Sequence, residues 1–112
     1  MGATWTTLFS TDYAREQFPP ESVKTIRLGE QKICLARHKD KFYAVQDECT
    51  HEGASLGKGD CMLHGVVKCP WHQYRFDLSS GQPVDNDAAP LKTFPVKEED
   101  GMLQLLIDDF LV

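Results

Sequence analysis

The sequence predicts an all-β domain, a sandwich or barrel of short strands, on three observations. Runs of four to six residues rich in β-branched and aromatic side chains recur along the chain, bounded by Gly, Pro, Asp and Ser clusters. Only one stretch carries a helical signature. An Asp100-Gly101 pair separates two apolar runs near the end, which is the strongest short hairpin signal. At 112 residues, with no repeat, low-complexity tract or linker, the chain reads as a single domain over 1–112.

Taken in order, Thr4 to Phe9 has strand composition. Asp12 to Phe18 is expected to form a short helical turn, capped by Thr11 or Asp12 and ended by Pro19-Pro20. Val23 to Leu28 alternates apolar and polar, the period of a half-buried strand, and Gly29-Glu30 turns the chain. Lys32 to Arg37 is the next strand, with Ile33 and Leu35 on one face and Cys34 and Ala36 on the other. After a tight turn at Lys39-Asp40, Phe42 to Val45 delivers the chain to Cys49. The glycine-rich stretch Glu52 to Gly65 is loop, with one short pairing around Met62 and Leu63. Val66 to Lys68 leads into Cys69, Tyr74 to Leu78 leads away, and Ser79-Ser80-Gly81 turns back. Gln82 to Pro90 is expected to be irregular. Phe94 to Lys97 and Met102 to Ile107 flank Glu99-Asp100-Gly101 as the closing hairpin.

Composition excludes several functions. A formal net charge of −5 disfavours nucleic acid, which needs a basic patch, but permits docking on a basic protein surface. No run approaches the roughly 18 apolar residues of a membrane span, and Met1 to Trp5 lacks a basic segment followed by an apolar one, so the reading is cytoplasmic. In a reducing compartment, four cysteines point to metal ligands or thiols rather than disulfides. A bound metal would add stability to the modest core of a chain this size.

The chemistry concentrates between Cys49 and His72. Cys49-Thr50-His51 is followed by 17 residues and then Cys69-Pro70-Trp71-His72. Each arm presents one thiol and one imidazole. Two sulfurs and two nitrogens suit either a single tetrahedral zinc or a two-iron, two-sulfide cluster with both cysteines on one iron and both histidines on the other. Zinc modules commonly place a cysteine pair first and a histidine pair later; here both arms are mixed, which lets each loop clamp two unlike irons. The intervening glycines allow backbone N–H groups to approach sulfur.

These motifs, with Gly57, Tyr74-Arg75-Phe76-Asp77 and Gly81, resemble the Rieske family, and most closely its small ferredoxins that serve bacterial ring-hydroxylating oxygenases. The resemblance runs from Trp5 to the last hairpin. It implies a sandwich of antiparallel sheets with a cluster-binding subdomain at one tip, built from loops at about 48–60 and 68–76. It implies one [2Fe-2S] cluster per chain, with Cys49 and Cys69 on the inner iron and His51 and His72 on the outer. High-potential members carry a disulfide between the cluster loops, plus serine and tyrosine hydroxyls donating to sulfur. The matching places here are Ala54 and Trp71, and Tyr74 and Phe76. Fewer hydrogen bonds to sulfur imply a potential near the bottom of the general Rieske range, about −150 mV. Gln73 replaces the glycine that often follows the second histidine.

The resemblance implies a one-electron carrier, not an enzyme, with no catalytic residue. It would dock transiently with a flavin- or ferredoxin-type reductase and a terminal oxygenase, and take no small-molecule substrate, nucleic acid or membrane. Alternatives are the small subunit of an assimilatory nitrite reductase and a zinc-stabilised interaction module. Cys34 is expected in the core, Cys61 as a thiol near the cluster end, and His38 and His64 on the surface or in turns. Trp71 is a partner contact or a lid over the cluster, and the acidic side chains are mostly solvated faces.

Overall fold

A computed structural model of the chain describes residues 3–28, 31–50, 53–62, 64–70, 74–84 and 86–108. It contains three antiparallel sheets. The first has three strands, β1 (Ala3–Ser10), β11 (Met102–Asp108) and β10 (Val96–Glu99), in that order. The second runs β2 (Ser22–Leu28), β3 (Gln31–His38), β4 (Lys41–Gln46) and β9 (Thr93–Phe94). The third runs β5 (Asp60–Met62), β6 (Val66–Lys68), β7 (Arg75–Asp77) and β8 (Pro83–Val84).

The second sheet is the middle of the molecule because both its faces are apolar. Ile33, Leu35, Phe42 and Ala44 pack with Leu103, Leu105 and Ile107 of the first sheet. Cys34, Ala36 and Val45, on the opposite face, pack with Val67 and Phe76 of the third and with Leu78 just past β7. The alternation expected for β3 is therefore correct in phase but buried on both sides, so β3 has no exposed face from residue 33 to 37.

One helix, α1 (Thr11–Gln17), follows β1. Its cap is Ser10, ahead of the expected Thr11 or Asp12: the Ser10 hydroxyl accepts from Tyr13 N–H at 3.1 Å, while Thr11 is buried and gives its hydroxyl to Gly101 O. Ala14 and Phe18 face the core, and Phe18 meets Phe42 edge-on at 5.7 Å. The Arg37 guanidinium, nearly buried, donates to Phe18 O and Lys39 O at 2.8 Å each and fastens the helix end to the β3–β4 turn.

Two strand expectations change. The run from Phe94 to Lys97 is not one strand. Phe94 pairs with Ala44 in the second sheet, Val96 pairs with Leu105 in the first, and Pro95 between them, lacking an N–H, is where the chain changes sheets. Gln82 to Pro90 is not wholly irregular, since Pro83 and Val84 pair with Phe76 and Arg75. The turn expected at Gly29-Glu30 and the pairing at Leu63 lie outside the described residues.

The closing hairpin is as expected. Glu99 pairs with Met102, and Asp100 and Gly101 between them have φ of 55° and 75°, both left-handed, as a two-residue turn matching strand twist requires. A Cβ on Gly101 would meet nothing within 4 Å, so the requirement is conformational only. Gly101→Ala is expected to lower stability by about 1 kcal/mol, read by chemical denaturation, and to leave the distant site unchanged.

Candidate metal centre

The β4 strand runs out through Asp47 and Glu48 into Cys49, and the chain returns alongside itself. Leu56 N–H donates to Asp47 O at 2.7 Å, Glu48 bridges Ser55, and Cys49 N–H donates to Ala54 O at 2.8 Å. Gly53, at φ +78°, makes the turn and gives its N–H to Cys49 O. The second loop repeats the device. Strand β6 delivers Cys69, whose N–H donates to Tyr74 O at 2.7 Å before β7 departs. Each cysteine thus sits at the base of its loop, closed to the residue five positions on. Cys49 is 2% exposed and Cys69 0%, and both belong to one cluster with Leu56, Val67 and Phe76.

His51 and His72 lie outside the described residues, as do Trp71 and Gln73. In sequence each histidine falls inside the five-residue span that its cysteine closes. The donor chemistry fits a thiolate-held iron–sulfur group: two soft ligands, both withdrawn from water and gathered in one cluster, at the bases of two loops closed alike. A cysteine that merely fills core space needs no such closure.

The first loop is held from two sides. The Asp47 carboxylate, 4% exposed, accepts from Thr25 Oγ1 at 2.9 Å, Ser55 Oγ at 2.7 Å and Gly57 N–H at 2.8 Å, joining β2, the loop and the short 3-10 helix Leu56–Lys58. On the other side Thr50 Oγ1 donates to Ala89 O at 2.6 Å. Gly57 lies so close to Thr25 that a Cβ there would overlap its hydroxyl and backbone, and a Cβ on Gly59 would overlap Lys68 O. Asp47, Thr25 and Ser55 escaped the sequence reading, because 22 and 8 residues separate the partners from Asp47 and no spacing rule links them.

Of the other cysteines, Cys34 is fully buried and Cys61 partly so; both are thiols, as expected, and no disulfide joins them. Burial, then the charge of Asp47 and the neighbouring Cys61, push the Cys34 thiol far up. Burial, then the charge of Glu21, push Cys61 up to about 11. Both are therefore protonated at pH 8, and labelling of the native protein by a thiol reagent at that pH is expected to be slow at each and fast after unfolding. His64 is an exposed turn residue at φ +70°, as expected. His38 is not simply on the surface: its side chain is 16% exposed and Nδ1 lies 2.8 Å from Glu21 Oε2, while Glu21 Oε1 also accepts from Lys39 N–H. Glu21, at φ +60°, carries its carboxylate to both.

No helix among the described residues is long and apolar enough to cross a membrane. Residues 9–95 match the family model described as the Rieske [2Fe-2S] domain. The ferredoxin component of the alkene monooxygenase system of Xanthobacter autotrophicus is 32% identical over 74 residues, 66% of this chain and 61% of that one, so the chain spans less than two thirds of that relative. The 3-phenylpropionate/cinnamic acid dioxygenase ferredoxin subunit of Photorhabdus laumondii is 35% identical over 78 residues, 69% of this chain and 74% of that one. Among solved structures, a chain in the complex of reduced oxygenase and oxidized ferredoxin in carbazole 1,9a-dioxygenase superposes with a TM-score of 0.77 at 28% identity, covering 90% of this chain and 91% of that one. A protein from Mycobacterium tuberculosis described as a nitrite reductase small subunit shares the fold, with a TM-score of 0.78 at 22% identity over 93% of this chain and 95% of that one.

Proposed function

We propose, since this chain belongs to the Rieske [2Fe-2S] domain family, that it is the ferredoxin of an oxygenase system, taking one electron from a reductase and handing it to a terminal oxygenase. The observation that carries this reading is the pair of buried cysteines at the bases of two loops closed alike, together with the oxygenase ferredoxins among its relatives. Cys49 and Cys69 would hold the inner iron, and His51 and His72 the outer one. When bound, the cluster supplies one reversible electron-accepting site. The chain's own work is to hold the ligands and keep water from the sulfurs. The Cys49–Ala54 and Cys69–Tyr74 hydrogen bonds fix the loop bases, and Leu56, Val67 and Phe76 form the dry floor. A rigid frame suits a carrier, because little reorganisation accompanies each electron. Docking is expected to be small in area and weak, so that the carrier releases quickly.

Phe76, fully buried, has no hydroxyl to offer a cysteine sulfur. A potentiometric titration is accordingly expected to place the midpoint near the bottom of the general Rieske range, about −150 mV. The decisive experiment on the function is metal and sulfide analysis with EPR of the reduced protein, followed by electron transfer to candidate oxygenases. Equimolar iron and acid-labile sulfide with a rhombic signal support the carrier. Colourless zinc protein ends it, and stable co-purification with a sirohaem protein moves the chain to the nitrite reductase alternative.

A further inference from the structure

We infer that Asp47 sets the reduction potential of the electron-carrying site, its carboxylate acting as a fixed buried negative charge beside Cys49 that makes the site harder to reduce. The inference rests on the Rieske reading and adds to it a residue outside the ligand motifs. Asp47 is 4% exposed, and no ion pair forms on it among the described residues. Its partners are neutral: two hydroxyls and one backbone N–H. Three dipoles hold the carboxylate in place without cancelling its charge.

Position makes that charge matter. Asp47 and Cys49 are two residues apart, so their α-carbons lie within about 7 Å. An anion at that range inside a protein, where the dielectric is far below that of water, opposes the arrival of an electron. A neutral amide would bridge the same loop to β2 at a smaller desolvation cost, so bracing alone does not call for a carboxylate here.

The test is a potentiometric titration of holoprotein followed by EPR. Wild-type protein showing the rhombic reduced signal establishes the cluster independently; its absence would end the underlying reading and the inference with it. Given that signal, Asp47→Asn is expected to shift the reduction equilibrium about tenfold toward the reduced form, 59 mV for a one-electron couple. The g-values should be kept, and the shift should persist at high salt because buried charges are poorly screened. Asp47→Glu, which keeps the charge, should stay with the wild type. Ser55→Ala removes one dipole from the carboxylate and should move the midpoint the opposite way, downward. An unchanged midpoint in Asp47→Asn, or an Asp47→Glu midpoint that rises with it, overturns the inference. Should Asp47→Asn fail to hold a cluster, the Ser55→Ala midpoint decides: downward supports the inference, flat or upward overturns it.

Discussion

Exchanging His72 for cysteine is expected to drop the midpoint potential by roughly 100 mV or more, within an interval of about 250 mV, and to change both the absorption and the EPR spectrum. The reason is charge. Two ferric ions, two sulfides, two thiolates and two neutral imidazoles sum to zero, and a thiolate in place of one imidazole starts the site at −1. Clusters held by four thiolates sit near −400 mV, against a floor of about −150 mV for centres with two histidines, and a three-thiolate site should fall between them. Cys69 is fully buried at the loop base three residues earlier, and its bond to Tyr74 should survive the exchange, so the loop remains a loop. Potentiometry and EPR on the same sample check the result. An unchanged spectrum and potential would remove His72 from the proposed ligand set, whatever became of Cys49 and Cys69.

The parts of this molecule that were legible in the sequence are those governed by local rules. Period-two alternation placed Ile33 and Leu35 against one sheet and Cys34 and Ala36 against another, and Asp100-Gly101 marked its hairpin because few other pairs tolerate two left-handed residues. The two cysteine–histidine motifs stand out in the sequence because their residue types and spacing carry chemistry, and the structure places Cys49 and Cys69 at the bases of two loops closed alike. What was hidden depends on partners far away in the chain. The helix cap moved to Ser10 because Thr11 is drawn inward to Gly101, 90 residues on. The run at Phe94 split because β4 and β11 compete for it from either side of Pro95. His38 looked like a turn residue until Glu21, 17 positions earlier, supplied a partner. The Asp47 brace is the largest such omission, and it lies beside the loop that carries Cys49.

A single methyl group tests how much the site depends on that brace. Gly57→Ala is expected to be among the most damaging conservative changes in the described residues. At Gly101 an added Cβ would meet open space; at Gly57 it would overlap the hydroxyl and the backbone nitrogen of Thr25. The hydroxyl can rotate away, but the backbone nitrogen cannot, since Thr25 is held in register opposite Cys34 in the middle of β2. The 3-10 turn must therefore lift off β2. Lifting it breaks the Gly57–Asp47 bond and pulls Ser55 and Thr25 away from the same carboxylate. Overpacking of this kind costs about 1–3 kcal/mol, and stripping donors from a buried carboxylate adds a similar amount. A total of about 3–5 kcal/mol would lower Tm by 12 °C or more, taking about 4 °C per kcal/mol for a domain near this size. Iron content should fall with it, because Leu56 N–H on Asp47 O and Cys49 N–H on Ala54 O are rungs of one short ladder, and displacing its far end loosens the end that holds the sulfur. Thermal denaturation and iron analysis together separate two outcomes. Lost stability with full iron would mean that the loop holds its ligand without the brace. Lost iron at nearly normal stability would mean that the brace serves the ligand more than the fold.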